Sequence, residues 1–409
     1  MRIRMNFHKL RMISGNVCAA KSPKNTVPAY RFALNLNKAH YICKKGEDLT
    51  DTLMKKILFV VPFPRNIYPS ARFRIELYED SLKENGYEFD TVFFWDYYAR
   101  SILYKNGMIL QKFYSLLKGF FRRLGMLFII HRYDYIFILR EVAPIGPPVF
   151  EWLIAKLFRK RIIYDIDDAI WIPQMTGSNS WTKFAKSFWK VKTIIRWAHK
   201  VSVGNQYLYD YAVQHNPNVV LNPTCVDTDK KHNIIKNQHT DRIVIGWTGS
   251  FSTLHYLDEI VPVIKELEKK YQFDFLVIAD QNPHLPLISF RFIEWNGKTE
   301  IEDLLTCNIG IMPLENDEYS NGKCGFKIIQ FLSLGIPVAA SPVGVNRKIV
   351  VEDQNGYLCE TKQSWVNALE KLLIDANKRE KMGANGRNRI IQEYSMKANK
   401  QSFLSLFAD

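Results

Sequence analysis

The chain has 409 residues, 47% hydrophobic and 24% charged, the make-up of a soluble globular protein longer than one core normally organises. No run reaches the roughly 18 apolar residues of a spanning helix. Six scattered cysteines without a CxxC pair argue against a disulfide framework or a structural zinc site, and the formal charge of +15 suits DNA, RNA or an anionic membrane.

Residues 1–53 carry ten Lys/Arg against three Asp/Glu, show little periodicity and lack the long apolar core of a signal peptide. A basic amino-terminal extension and a cytoplasmic location are expected. MKKILFVV (Met54–Val61) reads as the first strand of an α/β domain. Further strands are predicted at Phe89–Phe94, Tyr135–Leu139, Arg161–Tyr164 and Lys200–Val203. Helical stretches fall between them at Ala71–Asn85, Leu103–Arg123, Phe150–Phe158 and Phe184–His199, crossovers that favour a parallel sheet. KFYSLLKGFFRRLGMLF (Lys112–Phe128) reads in two ways. It is either an interfacial amphipathic segment with cations snorkelling past aromatics, or a helix whose apolar side joins the core.

Pro217, Pro223 and the polar run Asp229–Arg242 mark a linker. A second α/β set follows, with strands at Ile243–Gly246, Phe273–Ile278, Ile309–Met312 and Pro337–Ala340. Its helices are predicted at Leu254–Lys270, Ile301–Leu305, Phe326–Leu334, Val345–Val351 and Ser364–Ile374. The expected fold class is α/β: two Rossmann-like, doubly wound domains facing a cleft, with ligands at the strand carboxyl ends.

Neither GxGxxG after the first strand nor GxxxxGK[ST] occurs, which weakens dehydrogenase and P-loop readings. Instead Lys323 and Lys327 flank Gly325 where a helix opens. Two ammonium groups and the free N–H groups of a first turn can converge there on a diphosphate, or the lysines are ordinary surface charge. Gln330, one turn on, reaches a ribose hydroxyl or is structural. Gly249 and Ser250 follow a strand, where small residues let backbone approach a ligand. In the first domain Arg65, Arg72 and Arg74 follow the first strand (PFPRNIYPSARFR), as an anion clamp or as solvated charge. YDIDDAIW sets Asp165, Asp167 and Asp168 at a strand end, to bind a sugar hydroxyl, act as a base or hold Arg140. A short carboxylate cluster without other ligands carries little weight for a metal, and none is expected.

From Lys55 to Tyr394, most strongly in Ile243–Ser250, Ile309–Leu314 and Gly325–Val350, the chain resembles the GT-B glycosyltransferases of the retaining family-4 type, which carry the glycosyl transferases group 1 domain. The resemblance implies a metal-independent, hexosyltransferase-like enzyme without a cofactor. Its donor would be a UDP- or GDP-sugar, the base unresolved. Its acceptor would be a glycan or lipid-linked hydroxyl in bacterial cell-surface polysaccharide or glycolipid synthesis, with the protein peripheral on the inner face of the plasma membrane. Residues 54–225 would bind acceptor, 226–394 would bind donor, and 395–409 would form a final helix packing back on the first domain.

At the family's E-x7-E element the chain has Gly322 and Gln330, so Gln330 takes the ribose-contacting place while Lys323 and Lys327 supply charge for the diphosphate. Asp167 stands where the family often has His. The implied catalytic set is Asp167, Asp168, Lys323 and Lys327. The donor set is Gly249, Ser250, Lys323, Gly325, Phe326, Lys327, Gln330, Pro342 and Gly344. Arg65, Arg72, Arg74 and Arg140 form the clamp. A catalytically silent glycosyltransferase-like scaffold is the alternative, or a nucleic-acid-binding protein, which would leave the diphosphate cradle unused.

Overall fold

Two six-stranded parallel sheets organise the chain in a computed structural model that describes residues 54–103, 105, 107–173 and 187–408. The extension expected over residues 1–53 lies outside them, as do Phe184, Ala185 and Lys186 of the helix predicted over Phe184–His199. The first sheet comprises β1 (Lys55–Val61), β2 (Tyr87–Phe93), β3 (Tyr135–Leu139), β4 (Arg161–Ile166), β5 (Lys200–Val203) and β6 (Val219–Leu221), in the order β2-β1-β3-β4-β5-β6. The second comprises β7 (Val244–Gly249), β8 (Asp274–Ala279), β9 (Phe290–Glu294), β10 (Ile309–Met312), β11 (Val338–Ala340) and β12 (Gly356–Leu358), in the order β12-β11-β10-β7-β8-β9.

Central strands are buried along their whole length: every residue of β3 and of β8 is in the core. Helices cover both faces of such sheets, which is why these strands read as unbroken hydrophobic runs rather than alternating ones. Each fully buried Ile, Leu or Phe contributes about 1.5–3 kcal/mol. The strand order reverses between β1 and β3 in the first sheet and between β7 and β10 in the second. Those reversals open crevices at the strand carboxyl ends, the usual ligand position in a doubly wound sheet.

The helices that frame these crevices are α1 (Pro69–Arg74), α2 (Ile109–Ile129), α3 (Val149–Trp152), α4 (Lys190–Trp197), α5 (Gln206–Val213), α6 (Glu300–Leu305), α7 (Phe326–Ser333) and α8 (Met396–Ser405). Asn205 caps α5, its side chain accepting from the Leu208 N–H. After α8, Leu406 and Phe407 join Phe403 beneath the first sheet, and Phe403 stacks on Tyr78 with centroids 4.2 Å apart. The carboxyl end of the chain thus completes the core of the first domain.

Several predicted helices are shorter or broken. The stretch Ala71–Asn85 divides into α1, a 3-10 turn at Glu76–Tyr78 and a helix at Glu79–Glu84. Leu254–Lys270 divides into a 3-10 helix (Phe251–Glu259) and an α-helix (Val261–Leu267) with Pro262 in its first turn, where a missing N–H costs nothing. The predicted Leu103–Arg123 helix instead begins at Ile109, after Gly107 and Met108 in left-handed conformations, and runs on to Ile129. The run predicted as a linker is well anchored: His232 and Gln238 are buried, and Arg379 and Arg387 donate to the Gln238 and His232 carbonyls at 2.9 and 2.7 Å.

Candidate active site

Most of the residues singled out in the sequence gather where the carboxyl ends of the two sheets face each other. From the second domain, the loop after β10 delivers Tyr319, Gly322 and Lys323 to the amino end of α7. Gly325 caps that helix with φ 66°, and a Cβ there would come within 2.3 Å of Ile349 Cδ1, so backbone conformation and space both demand glycine. Gly322 packs directly on the first domain, where a Cβ would lie 2.6 Å from that of Ala169. The first domain grips the same loop through Asn205, whose Nδ2 donates to the Gly322 and Lys323 carbonyls at 3.0 and 2.9 Å.

The two lysines differ. Lys323 Nζ lies 3.2 Å from Asp168 Oδ1 and donates to the Tyr319 hydroxyl at 3.2 Å. Burial opposes its charge, but Asp168 and Tyr319 together outweigh it, and the ammonium is held protonated well above the usual lysine range. Lys327 sits with its Nζ 4.4 Å from the centroid of the buried Trp247 ring and has no hydrogen-bond or carboxylate partner among the described residues. Burial, then the neighbouring Lys323 charge, pulls its pKa down to about 7. Near neutrality Lys327 is therefore poised between amine and ammonium, with no anion beside it to hold the proton.

Gly249 ends β7 and Ser250 follows it, forming a capping box with Thr253. Pro342 and Gly344 lie in the loop after β11, and the Gly344 N–H donates to Asn321 Oδ1 at 3.0 Å. Phe326 packs across the domain boundary on Phe73, the rings tilted at 51° with centroids 4.3 Å apart. Gln330 is buried and donates from Nε2 to Glu300 Oε1 at 3.2 Å.

The arginine clamp does not form as expected. Arg74 is enclosed in the first domain, with Nε and Nη2 on the two oxygens of Asp165 at 2.5 and 2.6 Å and Nη1 on the Asn222 carbonyl at 2.9 Å. A guanidinium so completely engaged and shielded is structural, because it has neither a free donor edge nor access for a ligand. Arg65, half-exposed, pairs with the buried Glu79. Arg72 crosses the domain boundary to Glu300 of α6, leaving its Nη1 buried without a partner. Arg140, itself strained at φ 64°, bridges Asp167 at 2.6 Å and Asp168 at 2.8 Å.

Of the readings open for the strand-end carboxylates, holding Arg140 is therefore the one seen. Burial disfavours a charged Asp167, but Arg140 outweighs it and sets its pKa to about 2, too low for an effective general base near neutrality. A chain of ion pairs results, running from Asp167 through Arg140 and Asp168 to Lys323 and joining the two domains.

Glu300 and Asn205 were not singled out in the sequence. Asn205 carried a readable signal, a capping residue just after a strand and before a helix. Glu300 carried none, since its burial depends on Arg72, Trp295 and Gln330 arriving from three other segments.

Comparisons with known proteins bear on this geometry. The model of the glycosyl transferases group 1 family matches residues 229–389. The chain is 33% identical over 169 residues to the alpha-1,3/1,6-mannosyltransferase ALG2 of Dictyostelium discoideum, an alignment covering 40% of this chain and only 35% of that protein. Among solved structures it resembles sucrose-phosphate synthase from Thermosynechococcus elongatus, with TM-score 0.62, 14% identity, and 87% of this chain and 99% of that one covered. It also resembles Anabaena HepE in complex with UDP-glucose, with TM-score 0.60, 15% identity, and 87% and 100% covered. At such identities the structural likeness establishes the fold. The family match thus covers residues 229–389, in the second domain, and the structural likeness gives the described chain the GT-B fold.

Proposed function

We propose that the protein is a retaining, metal-independent glycosyltransferase. It takes a sugar from a nucleotide diphosphate donor and passes it to a hydroxyl of a glycan or lipid-linked acceptor. The observation that carries this reading is Lys327, an ammonium without a counter-ion beside the amino end of α7, with Lys323 next to it. A diphosphate supplies the missing anion. The complex of HepE with UDP-glucose supports a nucleotide-sugar as the class of donor.

In this reading Lys327, Lys323 and the first-turn N–H groups of α7 stabilise charge developing on the departing diphosphate. The acceptor hydroxyl attacks from the side the diphosphate leaves, and the departing phosphate oxygen takes its proton. Gln330 and Glu300 face the ribose as a donor–acceptor pair. Asp167 and Asp168 act through Arg140 and Lys323, orienting the first-domain wall rather than moving protons. Closure of the two domains keeps water from the donor. The proposed setting is bacterial surface polysaccharide or glycolipid synthesis at the cytoplasmic face of the membrane.

Titration calorimetry with UDP, GDP, UDP-glucose and GDP-mannose is the direct test. One of these should bind with an affinity that Lys327→Ala removes while leaving thermal unfolding unchanged. Binding that is indifferent to Lys327→Ala would refute the diphosphate assignment.

A further inference from the structure

Helix α2 is apolar on two sides, with Leu116, Phe120, Leu127 and Ile129 packing against the core. The face it turns toward the protein carries Ser115, Gly119, Arg123 and Met126, all buried. The face it turns to solvent carries Leu110 (81% exposed), Phe113 (57%), Leu117, Phe121 (69%), Leu124 and Phe128 (81%). At 100° per residue these six fall within one stripe about 80° wide, running the length of the helix. Amphipathic helices of globular proteins place such a stripe against the core. An exposed apolar patch of this extent marks an interaction surface.

A second element widens the patch. Trp152 of α3 and Leu157 in the following π-helical turn are exposed, and α3 is tied to α2 by Phe120 stacking on Phe150 with centroids 6.2 Å apart. The charge around the patch has one sign. Residues 97–133 contain no Asp or Glu, and Lys156 and Arg159 are exposed without a carboxylate partner among the described residues. Lys118 and Arg122, on the flank of the stripe, share Asp96. A second copy of this chain would bring the same cations face to face. An anionic lipid surface satisfies both the apolar stripe and its basic border.

We propose that α2 lies in the plane of an anionic bilayer, its Leu/Phe stripe inserted among the acyl chains and Trp152 and Leu157 inserted beside it. No described helix is long and apolar enough to cross a membrane. The inner face of α2 is locked to the site: Arg123 donates to the carbonyls of Val61, Val92 and Val142 at 2.8, 2.9 and 2.7 Å, at or just beyond the ends of β1, β2 and β3. Docking therefore fixes the height of the first-domain wall above the lipid, where a lipid-linked acceptor would enter. That last consequence rests on the proposed transfer; the docking does not.

The full chain should be floated with vesicles of phosphatidylcholine alone and of phosphatidylcholine with phosphatidylglycerol, without donor, while UDP binding is measured in parallel. The expected result is flotation with the anionic vesicles only. The triple change Phe113→Glu, Phe121→Glu and Phe128→Glu should reduce it by at least about tenfold, and Phe121→Ser alone by less, with UDP affinity and melting temperature unchanged. Undiminished flotation of the triple variant would overturn the assignment, as would equal flotation with uncharged vesicles or none by the native chain. A lipid-free dimer that the triple variant dissociates would reassign the face to self-association. Binding of neither UDP nor GDP by the native chain, with flotation intact, would instead refute the nucleotide reading alone.

Discussion

The two walls of the cleft use cations in opposite ways. On the first-domain wall, Arg65, Arg72, Arg74 and Arg140 each already hold a carboxylate. On the second-domain wall, Lys327 holds none and Lys323 shares Asp168 with Arg140. A cation whose donors are spent stabilises the scaffold. A cation left unneutralised in a crowded crevice holds its place at a cost that only a ligand offsets. Sequence shows both as basic residues near strand ends, and only their partners separate the two roles.

The sharpest way to break this contrast is to remove one member from each wall. Arg74→Met leaves Asp165 charged and enclosed, so stability to urea should fall by about 3–5 kcal/mol, with any remaining folded protein still binding nucleotide. Lys327→Ala should do the reverse, leaving the unfolding midpoint near that of the native chain while turnover falls about 10²–10³-fold. If Arg74→Met abolished nucleotide binding in fully folded protein, the first-domain wall would be a ligand clamp after all.

The pH dependence follows from Lys327. A diphosphate binds the ammonium form and raises its pKa, so donor binding takes up a proton. Affinity should be fully present below pH about 7 and decline by up to about tenfold per unit as pH rises above it. Calorimetry at pH 8 in buffers of different ionisation enthalpy would register that uptake as a buffer-dependent heat. Lys323→Ala is the mildest of these changes. Its charge is already committed to Asp168, so donor affinity should drop by only about tenfold, distinctly less than for Lys327.

The strands missed in the sequence share a physical cause. Val219–Leu221, Phe290–Glu294 and Gly356–Leu358 are all edge strands of their sheets. β6 and β9 are half-exposed and β12 is only three residues long, so they lack the continuous apolar run that made β1, β3, β8 and β10 readable. Lys112–Phe128 was ambiguous for a related reason. Its apolar residues lie at helical spacing whichever way the helix turns, and only the fold shows that Leu116, Phe120 and Leu127 join the core while Phe113, Phe121 and Phe128 face outward.

The sequence by itself determined the α/β alternation, the two parallel sheets and the glycine-capped start of α7, because each depends on local hydrophobic runs and on backbone rules acting over a few residues. The tertiary structure alone decided which cations are spent. Arg74 meets Asp165 across 91 residues, Arg72 meets Glu300 across 228, and Lys323 reaches Asp168 from the other domain. Electrostatic partnership is a matter of distance in space, which the spacing of residues along a chain does not carry.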